Sequence, residues 1–208
     1  MTGVQTCALP ICRNYVKHAL ELSNEIPGEP IFFLKPDTAL LPKGQAFYIP
    51  AFSNDIHHEI EIVLRICKEG KNISEEFASR YYDALTVGID FTARDIQQKQ
   101  KEKGLPWEPA KAFDHSAPVG TIVSFNNLKD KNKILFHLDI NGKTVQKGNS
   151  TLMINTFENI ISYVSKFITL RKGDLVFTGT PEGVSQVNAG DFLECFLEDK
   201  CLLKVRVK

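Results

Sequence analysis

Hydrophobic residues recur along this chain with two different periods. A spacing of three to four residues predicts helices over residues 14–22, over residues 157–167, and over a segment that starts at Ser74 and carries Phe77, Tyr81 and Leu85 on one face. A fourth, more polar helix is expected from Thr92 to Lys103, with Gly104 as its stop. Helices are therefore a minority of the predicted elements.

Short apolar or alternating runs predict strands over most of the remaining chain. They lie at residues 31–34, 46–50, 59–66, 134–140, 143–146, 174–178, 191–197 and 202–207. Asn141-Gly142 separates two of these runs and fits a type I′ hairpin turn. The pattern predicts an α+β fold that is mainly β, with a few flanking helices.

The first eleven residues show neither period and resemble a translated sequencing-adapter scar. No positive charge precedes their apolar stretch, which argues against a secretory signal. We therefore expect residues 1–11 to be a non-native or disordered segment outside the fold. Residues 12–208 are expected to form a single catalytic domain, since a chain of this size can build one core.

Composition excludes several functional classes. Lys and Arg together number 25, as do Asp and Glu, so the net charge is zero and a dedicated nucleic-acid binder is not expected. No apolar run approaches the ~20 residues that span a bilayer, so no membrane partner is expected. The five cysteines lack zinc-ligand spacing and indicate free thiols in a reducing cytoplasm.

Glu59-Ile60-Glu61 is the most unusual segment for candidate chemistry. In a strand both carboxylates point to one face, ~7 Å apart, and they repel unless water or a cation lies between them. Asp90, at the end of an apolar run, is a candidate third ligand. Oxygen-only ligands favour Mg²⁺, Mn²⁺ or Ca²⁺. The alternative is an edge strand with a solvated charged face.

Four separated motifs resemble the fumarylacetoacetate hydrolase family. In order along the chain they are His58-Glu59-Ile60-Glu61, residues 88–97, residues 104–107 with Lys111-Ala112-Phe113, and residues 178–183. The likeness covers the chain from Arg13 onward, and Arg13-Asn14-Tyr15 and residues 161–165 match the short acylpyruvase and oxaloacetate decarboxylase branch. The resemblance implies a mixed β-sandwich or β-roll, a homodimer, and Mg²⁺ (or Mn²⁺, with Ca²⁺ as a further option) held by Glu59, Glu61 and Asp90.

The same resemblance assigns roles to three other side chains. His18 and Glu21 share one face of a helix, and the resemblance makes them a base and its orienting partner on a lid; on spacing alone they would be a surface pair. Lys111 would otherwise face solvent, and the resemblance places it at the metal site, where an ammonium stabilises an enolate.

Substrate binding is expected from two further segments. Arg94 and Gln97 follow Asp90 on the polar helix and would orient the metal site or bind substrate; a solvated helix face is the alternative. Thr178, Gly179 and Thr180 form a turn whose backbone N–H groups and hydroxyls suit a substrate carboxylate.

The resemblance implies an enzyme acting on small 2-oxo acids. Carbon–carbon bond hydrolysis of acylpyruvates and decarboxylation or tautomerisation of oxaloacetate share an enolate, so the sequence does not choose between them. A 2-hydroxyhepta-2,4-diene-1,7-dioate isomerase and a catalytically silent metal-binding homologue are the alternatives. The chain departs from the family pattern at Leu9-Pro10-Ile11-Cys12, where a hydrophobic strand and a glycine are usual, and this affects the support of the lid.

Overall fold

A computed structural model describes residues 7–208. Its strands are β1 (Ala8–Cys12), β2 (Ile31–Phe32), β3 (Ile56–His58), β4 (Ile60–Ile66), β5 (Tyr82–Ile89), β6 (Thr92–Ala93), β7 (Val123–Ser124), β8 (Leu135–Ile140), β9 (Lys143–Asn149), β10 (Leu175–Phe177), β11 (Ser185–Gln186), β12 (Phe192–Leu197) and β13 (Lys200–Arg206). Its helices are α1 (Val16–Glu21), α2 (Glu75–Ala78), α3 (Arg94–Lys103), α4 (Glu108–Lys111) and α5 (Phe157–Phe167). Strands dominate, so the predicted mainly β, α+β class is confirmed.

The strands form three sheets. The largest has six strands in the order β2-β1-β10-β4-β5-β7, a second has the order β13-β12-β8-β9, and a small third has the order β11-β3-β6. Strand β4 lies inside the large sheet, with β10 on one side and β5 on the other. Ile60, Ile62 and Leu64 face the main core, while Val63 faces a second apolar cluster with Leu175 and Phe177. Burial on both faces explains why β4 is nearly continuous in apolar residues.

Helix α5 packs its apolar face against the main core, and it begins and ends at the predicted residues. Its side chains Ile160, Ile161 and Val164 are fully buried at helical spacing. Burial of each contributes roughly 1.5–3 kcal/mol. Thr156 caps the helix by accepting a hydrogen bond from Asn159 N. Within residues 7–208, none of the helices is long and apolar enough to cross a membrane.

The hairpin follows its prediction, and the polar helix ends as predicted but begins at Arg94, because Thr92 and Ala93 form strand β6. Asn141 and Gly142 both have positive φ, 52° and 77°, as a type I′ turn requires, and they join β8 to β9. Gly104 ends α3 in the left-handed conformation, with φ 62°.

Two predicted elements are wrong. The helix expected through Phe77, Tyr81 and Leu85 ends at Ala78, and the chain continues as strand β5 from Tyr82. Pairing along the whole of β4 outweighs the local helical spacing, because β5 is rich in residues that favour a buried sheet. Residues 46–50 form no strand and contribute only an isolated bridge from Phe47 to Val207.

The expectation that residues 1–11 lie outside the fold is corrected at residues 8–11. Strand β1 is buried and pairs in parallel with β10 and antiparallel with β2. An isolated apolar run of this kind shows no alternation because both of its faces are covered. Helix α1, the expected lid, therefore follows closely after a sheet strand. Residues 1–6 are outside the described part of the chain.

Candidate metal centre and active site

Glu59, Glu61 and Asp90 meet at one end of the central sheet. Ile60 pairs with Ile89, and Asp90 N donates to Glu59 O at 2.8 Å, so the two strands bring the carboxylates together. Their side chains are buried, with residue exposures of 4%, 1% and 1% in that order. One oxygen from each lies within 4.8 Å of the others. The solvated edge-strand alternative is therefore wrong.

Two cationic side chains, those of Lys111 and Arg94, contact this carboxylate cluster. Lys111 Nζ donates to Glu59 Oε2 at 2.8 Å, to Asp90 Oδ2 at 2.6 Å and to Thr92 Oγ1 at 2.6 Å. Arg94 Nη2 donates to Glu59 Oε1 at 2.5 Å. Glu59 is thus held from two sides. Although burial alone raises its pKa, Lys111, Arg94 and His18 hold that pKa well below its usual value.

The surroundings of Glu61 shift its pKa in the opposite direction. Burial, Asp90 and Glu59 raise its pKa well above the usual value, and the hydrogen bond from Gly179 N at 2.5 Å only partly offsets them. Asp90 Oδ1 is buried and forms an ion pair with Lys35, whose Nζ lies 2.8 Å away. An oxygen-only set of ligands with residual repulsion between its carboxylates fits a hard divalent cation such as Mg²⁺ or Mn²⁺.

His18 and Glu21 lie above the cluster on α1. His18 is 5% exposed and lines the same cavity as Glu59, Glu61 and Asp90, which a surface pair would not. His18 Nδ1 lies 3.4 Å from Glu21 Oε2, and Gly183 N donates to Glu21 Oε1 at 3.0 Å. Burial lowers the pKa of His18, with Glu59 and Glu21 opposing the shift. The imidazole is therefore neutral near pH 7 and able to accept a proton.

Lys111 lies where the resemblance placed it, and it is 2% exposed. Burial alone lowers its pKa, but Asp90 and Glu59 outweigh burial and raise it above the usual value. It therefore remains an ammonium and cannot serve as a base. Its three protons donate to the protein acceptors described above, so its effect at the site is that of a fixed positive charge.

The three residues of the Thr178–Thr180 turn contact different parts of the protein. Thr178 Oγ1 donates to Ile62 O, and Gly179 N donates to Glu61 rather than to an outside anion. Only Thr180 lines the cavity, where its hydroxyl accepts a hydrogen bond from Gln146 Nε2 at 3.0 Å. Gly179 has φ +98°, and a Cβ there would lie 2.6 Å from Asn14 Cβ, so this position requires glycine.

Arg94 and Gln97 both line the cavity, so the alternative that they lie on a solvated helix face is wrong. Arg94 Nη1 donates to Gln97 Oε1 at 2.6 Å, which fixes the two side chains relative to each other. Arg94 thus links Gln97 to Glu59.

Sequence reasoning missed several residues at the site, among them one buried lysine. Lys35 is fully buried and donates to Ser116 Oγ at 2.7 Å and Ser116 O at 3.1 Å while pairing with Asp90. Its only signal is a lysine closing the apolar run Phe32-Phe33-Leu34. Cys12, Arg13 and Lys101 line the cavity, and burial raises the pKa of Cys12 to about 12, so it is a neutral thiol.

The cavity is narrow. Its volume of about 30 Å³ holds about two water molecules. His18 of α1 and Leu22 just after it line the cavity together with the three carboxylates, so movement of α1 would change its volume.

The family profile described as fumarylacetoacetate (FAA) hydrolase C-terminal matches residues 8–208. The chain belongs to the fumarylacetoacetate hydrolase family. This family member is 39% identical over 196 residues to mitochondrial oxaloacetate tautomerase FAHD1 of Mus musculus, covering 94% of this chain and 89% of the relative. It is 41% identical over 184 residues to mitochondrial oxaloacetate decarboxylase of Dictyostelium discoideum, covering 88% and 84%.

Among solved structures, this family member is similar to fumarylpyruvate hydrolase from Pseudomonas aeruginosa in complex with Mn²⁺ and pyruvate. The TM-score is 0.91 at 36% identity, covering 98% of this chain and 89% of the other. The similarity to 2-hydroxyhepta-2,4-diene-1,7-dioate isomerase from Mycobacterium marinum has a TM-score of 0.84 at 29% identity, covering 98% and 75%.

Proposed function

We propose that this protein is a divalent-cation-dependent enzyme that acts on small 2-oxo acids. It hydrolyses the carbon–carbon bond of acylpyruvates, or decarboxylates or tautomerises oxaloacetate. The observation that carries the proposal is the convergence of three buried carboxylates beneath the His18–Glu21 pair. The named activities of the relatives and the Mn²⁺ and pyruvate bound by a structural neighbour support it.

Glu59, Glu61 and Asp90 would hold the cation. When bound there, the cation supplies Lewis acidity that stabilises negative charge on a 2-oxo group. Mg²⁺ is the ion we propose, and Mn²⁺ and Ca²⁺ suit the same oxygen ligands.

The remaining steps belong to side chains of this protein. His18, neutral and facing the cavity, accepts a proton from water for hydrolysis or from the substrate carbon for tautomerisation. Glu21 orients the imidazole through Nδ1. Lys111 adds a fixed positive charge beside the developing enolate. Arg94, Gln97 and Thr180 bind the substrate, whereas Thr178 and Gly179 support the turn and Glu61.

An assay panel distinguishes the reactions. We expect the Mg²⁺-loaded enzyme to turn over at least one of acetylpyruvate, fumarylpyruvate and oxaloacetate, and we expect EDTA to abolish turnover and added Mg²⁺ to restore it. Product analysis separates pyruvate released by hydrolysis, carbon dioxide from decarboxylation, and the keto–enol ratio. The heptadienedioate substrate of the isomerase neighbour is a further arm. Turnover that survives EDTA would contradict the metal assignment, and an inactive panel would favour the silent homologue.

The lid is expected to be mobile without a ligand and to be ordered by one. Oxalate presents the same two oxygens as a 2-oxo acid, and we expect residues 18–29 to close over it when it binds the cation. Hydrogen exchange of residues 18–29 should be slower with Mg²⁺ and oxalate than with Mg²⁺ alone. The paired strands β12 and β13, whose ladder partners lie outside residues 18–29, are the control and should not change. Unchanged exchange in residues 18–29 would contradict lid closure.

Two further properties are proposed, one from the family and one from the free cysteines. We propose a homodimer, and light scattering of the purified protein tests this against the monomer mass of 23.4 kDa.

We also propose a cytoplasmic location. Because several relatives are named as mitochondrial, imaging of the tagged protein in its native cell tests that choice.

A further inference from the structure

Gln146 is a buried polar residue of β9 that does not line the cavity. It lies opposite Leu138 of the main core and is 1% exposed. A side-chain amide has two N–H donors and a carbonyl oxygen that can accept two hydrogen bonds. Burial of such a group is costly unless its partners are in place. Gln146 therefore needs a partner at each of its donor and acceptor positions.

The carbonyl end of Gln146 contacts the segment that carries two of the three clustered carboxylates. Its Oε1 accepts from Ile60 N at 3.1 Å and lies 2.8 Å from His58 Nδ1. Because a backbone N–H can only donate, the contact with Ile60 identifies the oxygen end of the amide, and His58 Nδ1 must carry a proton. On its other side the imidazole is held by Ser185, since His58 Nε2 lies 2.8 Å from Ser185 Oγ.

The NH₂ end of Gln146 contacts the turn that contributes Thr180 to the cavity. Its Nε2 donates to Thr180 Oγ1 and to Pro181 O, both at 3.0 Å. Both protons of the amide are therefore in use. Turning the amide over would place its donors against Ile60 N and its oxygen against Pro181 O, so only one orientation satisfies all of its partners.

The hydrogen bond from Gln146 decides what the Thr180 hydroxyl can offer to a ligand. A hydroxyl has one proton and two lone pairs, and Gln146 Nε2 occupies a lone pair. Within residues 7–208, the Thr180 hydroxyl donates to no protein acceptor. Thr180 is nevertheless only 3% exposed and lines the cavity. A buried O–H without an acceptor is costly, which indicates that a ligand in the cavity supplies one.

We propose that Gln146 is a positioning residue that makes Thr180 a hydrogen-bond donor to an oxygen of the bound 2-oxo acid. The inference rests on the proposed function and adds to it a residue that acts from outside the cavity. The direction of the hydrogen bonds is set at one end by Ile60 N and passes through the amide to the Thr180 hydroxyl. Thr180 therefore favours ligands that present an acceptor at this point.

Gln146→Glu tests this polarity because it replaces only the NH₂ group. One carboxylate oxygen can still accept from Ile60 N, while the other draws the Thr180 proton away from the ligand. The probe is oxalate, whose oxygens are all acceptors, titrated calorimetrically into Mg²⁺-saturated protein at pH 8, well above the ordinary pKa of glutamate. We expect Gln146→Glu and Thr180→Val each to weaken oxalate binding by about tenfold or more, the usual contribution of a hydrogen bond to a charged group. Thr180→Ser keeps the hydroxyl and should retain most of the affinity.

A double-mutant cycle separates the route through the hydroxyl from the added charge. The charge at position 146 acts in any background, whereas the route through the hydroxyl exists only when position 180 carries one. Gln146→Glu should therefore weaken oxalate binding much less in Thr180→Val than in the unmodified protein. Gln186→Glu is the matched control, because Gln186 is exposed on β11 and its Nε2 donates to Asn54 O. It should leave oxalate affinity unchanged.

Each contrary result has a distinct meaning. Unchanged oxalate affinity in Thr180→Val would overturn the donor role of Thr180. Equal losses from Gln146→Glu in the two backgrounds, or a lower Tm with full oxalate affinity, would overturn the positioning role of Gln146. Failure of oxalate to bind the unmodified Mg²⁺-loaded protein would overturn the proposed function together with this inference.

Discussion

Asp90→Ala is expected to abolish divalent-cation binding and turnover, and also to destabilise the fold. Removing this carboxylate leaves Lys35 and Lys111 as buried ammonium groups that have lost a partner. Breaking a buried ion pair from one side costs about 3–5 kcal/mol, which for a chain of this length lowers the Tm by roughly 6–20 °C. Calorimetric titration with Mn²⁺ measures binding, and thermal unfolding in EDTA measures the stability of the metal-free protein.

Glu61→Gln is the matched comparison for Asp90→Ala. It also removes a ligand charge, but Glu61 has no lysine or arginine at ion-pair distance within residues 7–208, and its main neighbours are Glu59 and Asp90. Loss of that repulsion should keep or raise the Tm in EDTA while metal binding is lost. The amide oxygen can still accept from Gly179 N. Wild-type Mn²⁺ affinity in either variant would contradict the metal centre, and an unchanged Tm in Asp90→Ala would contradict the role given to the buried lysines.

His18→Ala is expected to lower kcat by about 10²–10⁴-fold, the usual contribution of a positioned base, while Mn²⁺ affinity is retained. Leu20→Ala is the control on the same helix, because Leu20 is 64% exposed and does not line the cavity. Comparable losses of metal affinity and activity in His18→Ala would identify His18 as a ligand. An unchanged kcat would show that the base is another group.

The pH profile gives an independent test of His18. Burial lowers its pKa in the folded protein, so the neutral, proton-accepting imidazole persists to a pH below the ordinary value of about 6.5. The acid limb of kcat/KM that belongs to His18 should therefore lie below that pH, and it should be absent in His18→Ala. A His18-dependent limb above pH 6.5 would contradict the buried, neutral setting of the imidazole.

The sequence predicted which carboxylates converge better than it predicted the elements that carry them. Period-two alternation places Glu59 and Glu61 on one face, and the position of Asp90 at the end of an apolar run made it a third candidate, which the register of β4 and β5 brings alongside. The same β5 was predicted as helix, because Phe77, Tyr81 and Leu85 happen to have helical spacing. Local spacing carries no information about a partner strand, and that partner decides the conformation here.

Residues that act from a distance along the chain were not predictable from local patterns. Lys35 reaches Asp90 from 55 residues upstream, and Lys101 meets Asn24 across 77 residues. A lysine beside an apolar run normally extends to solvent, so only the fold shows that Lys35 is fully buried. The turn at Thr178–Thr180 was expected to bind a substrate carboxylate through its backbone N–H groups, whereas Gly179 N donates to the protein's own Glu61.

The hydrogen bond from Gly179 N to Glu61 can form only late in synthesis of the chain. Its partners are separated by 118 residues, and strand β1 likewise waits for β10, since Ala8 pairs with Leu175. At about 5–20 residues per second, roughly 6–24 s pass between translation of Glu61 and translation of Gly179. During that interval the nascent chain has its carboxylates but no turn to close over them, so the cation site is completed only when most of the chain has been translated.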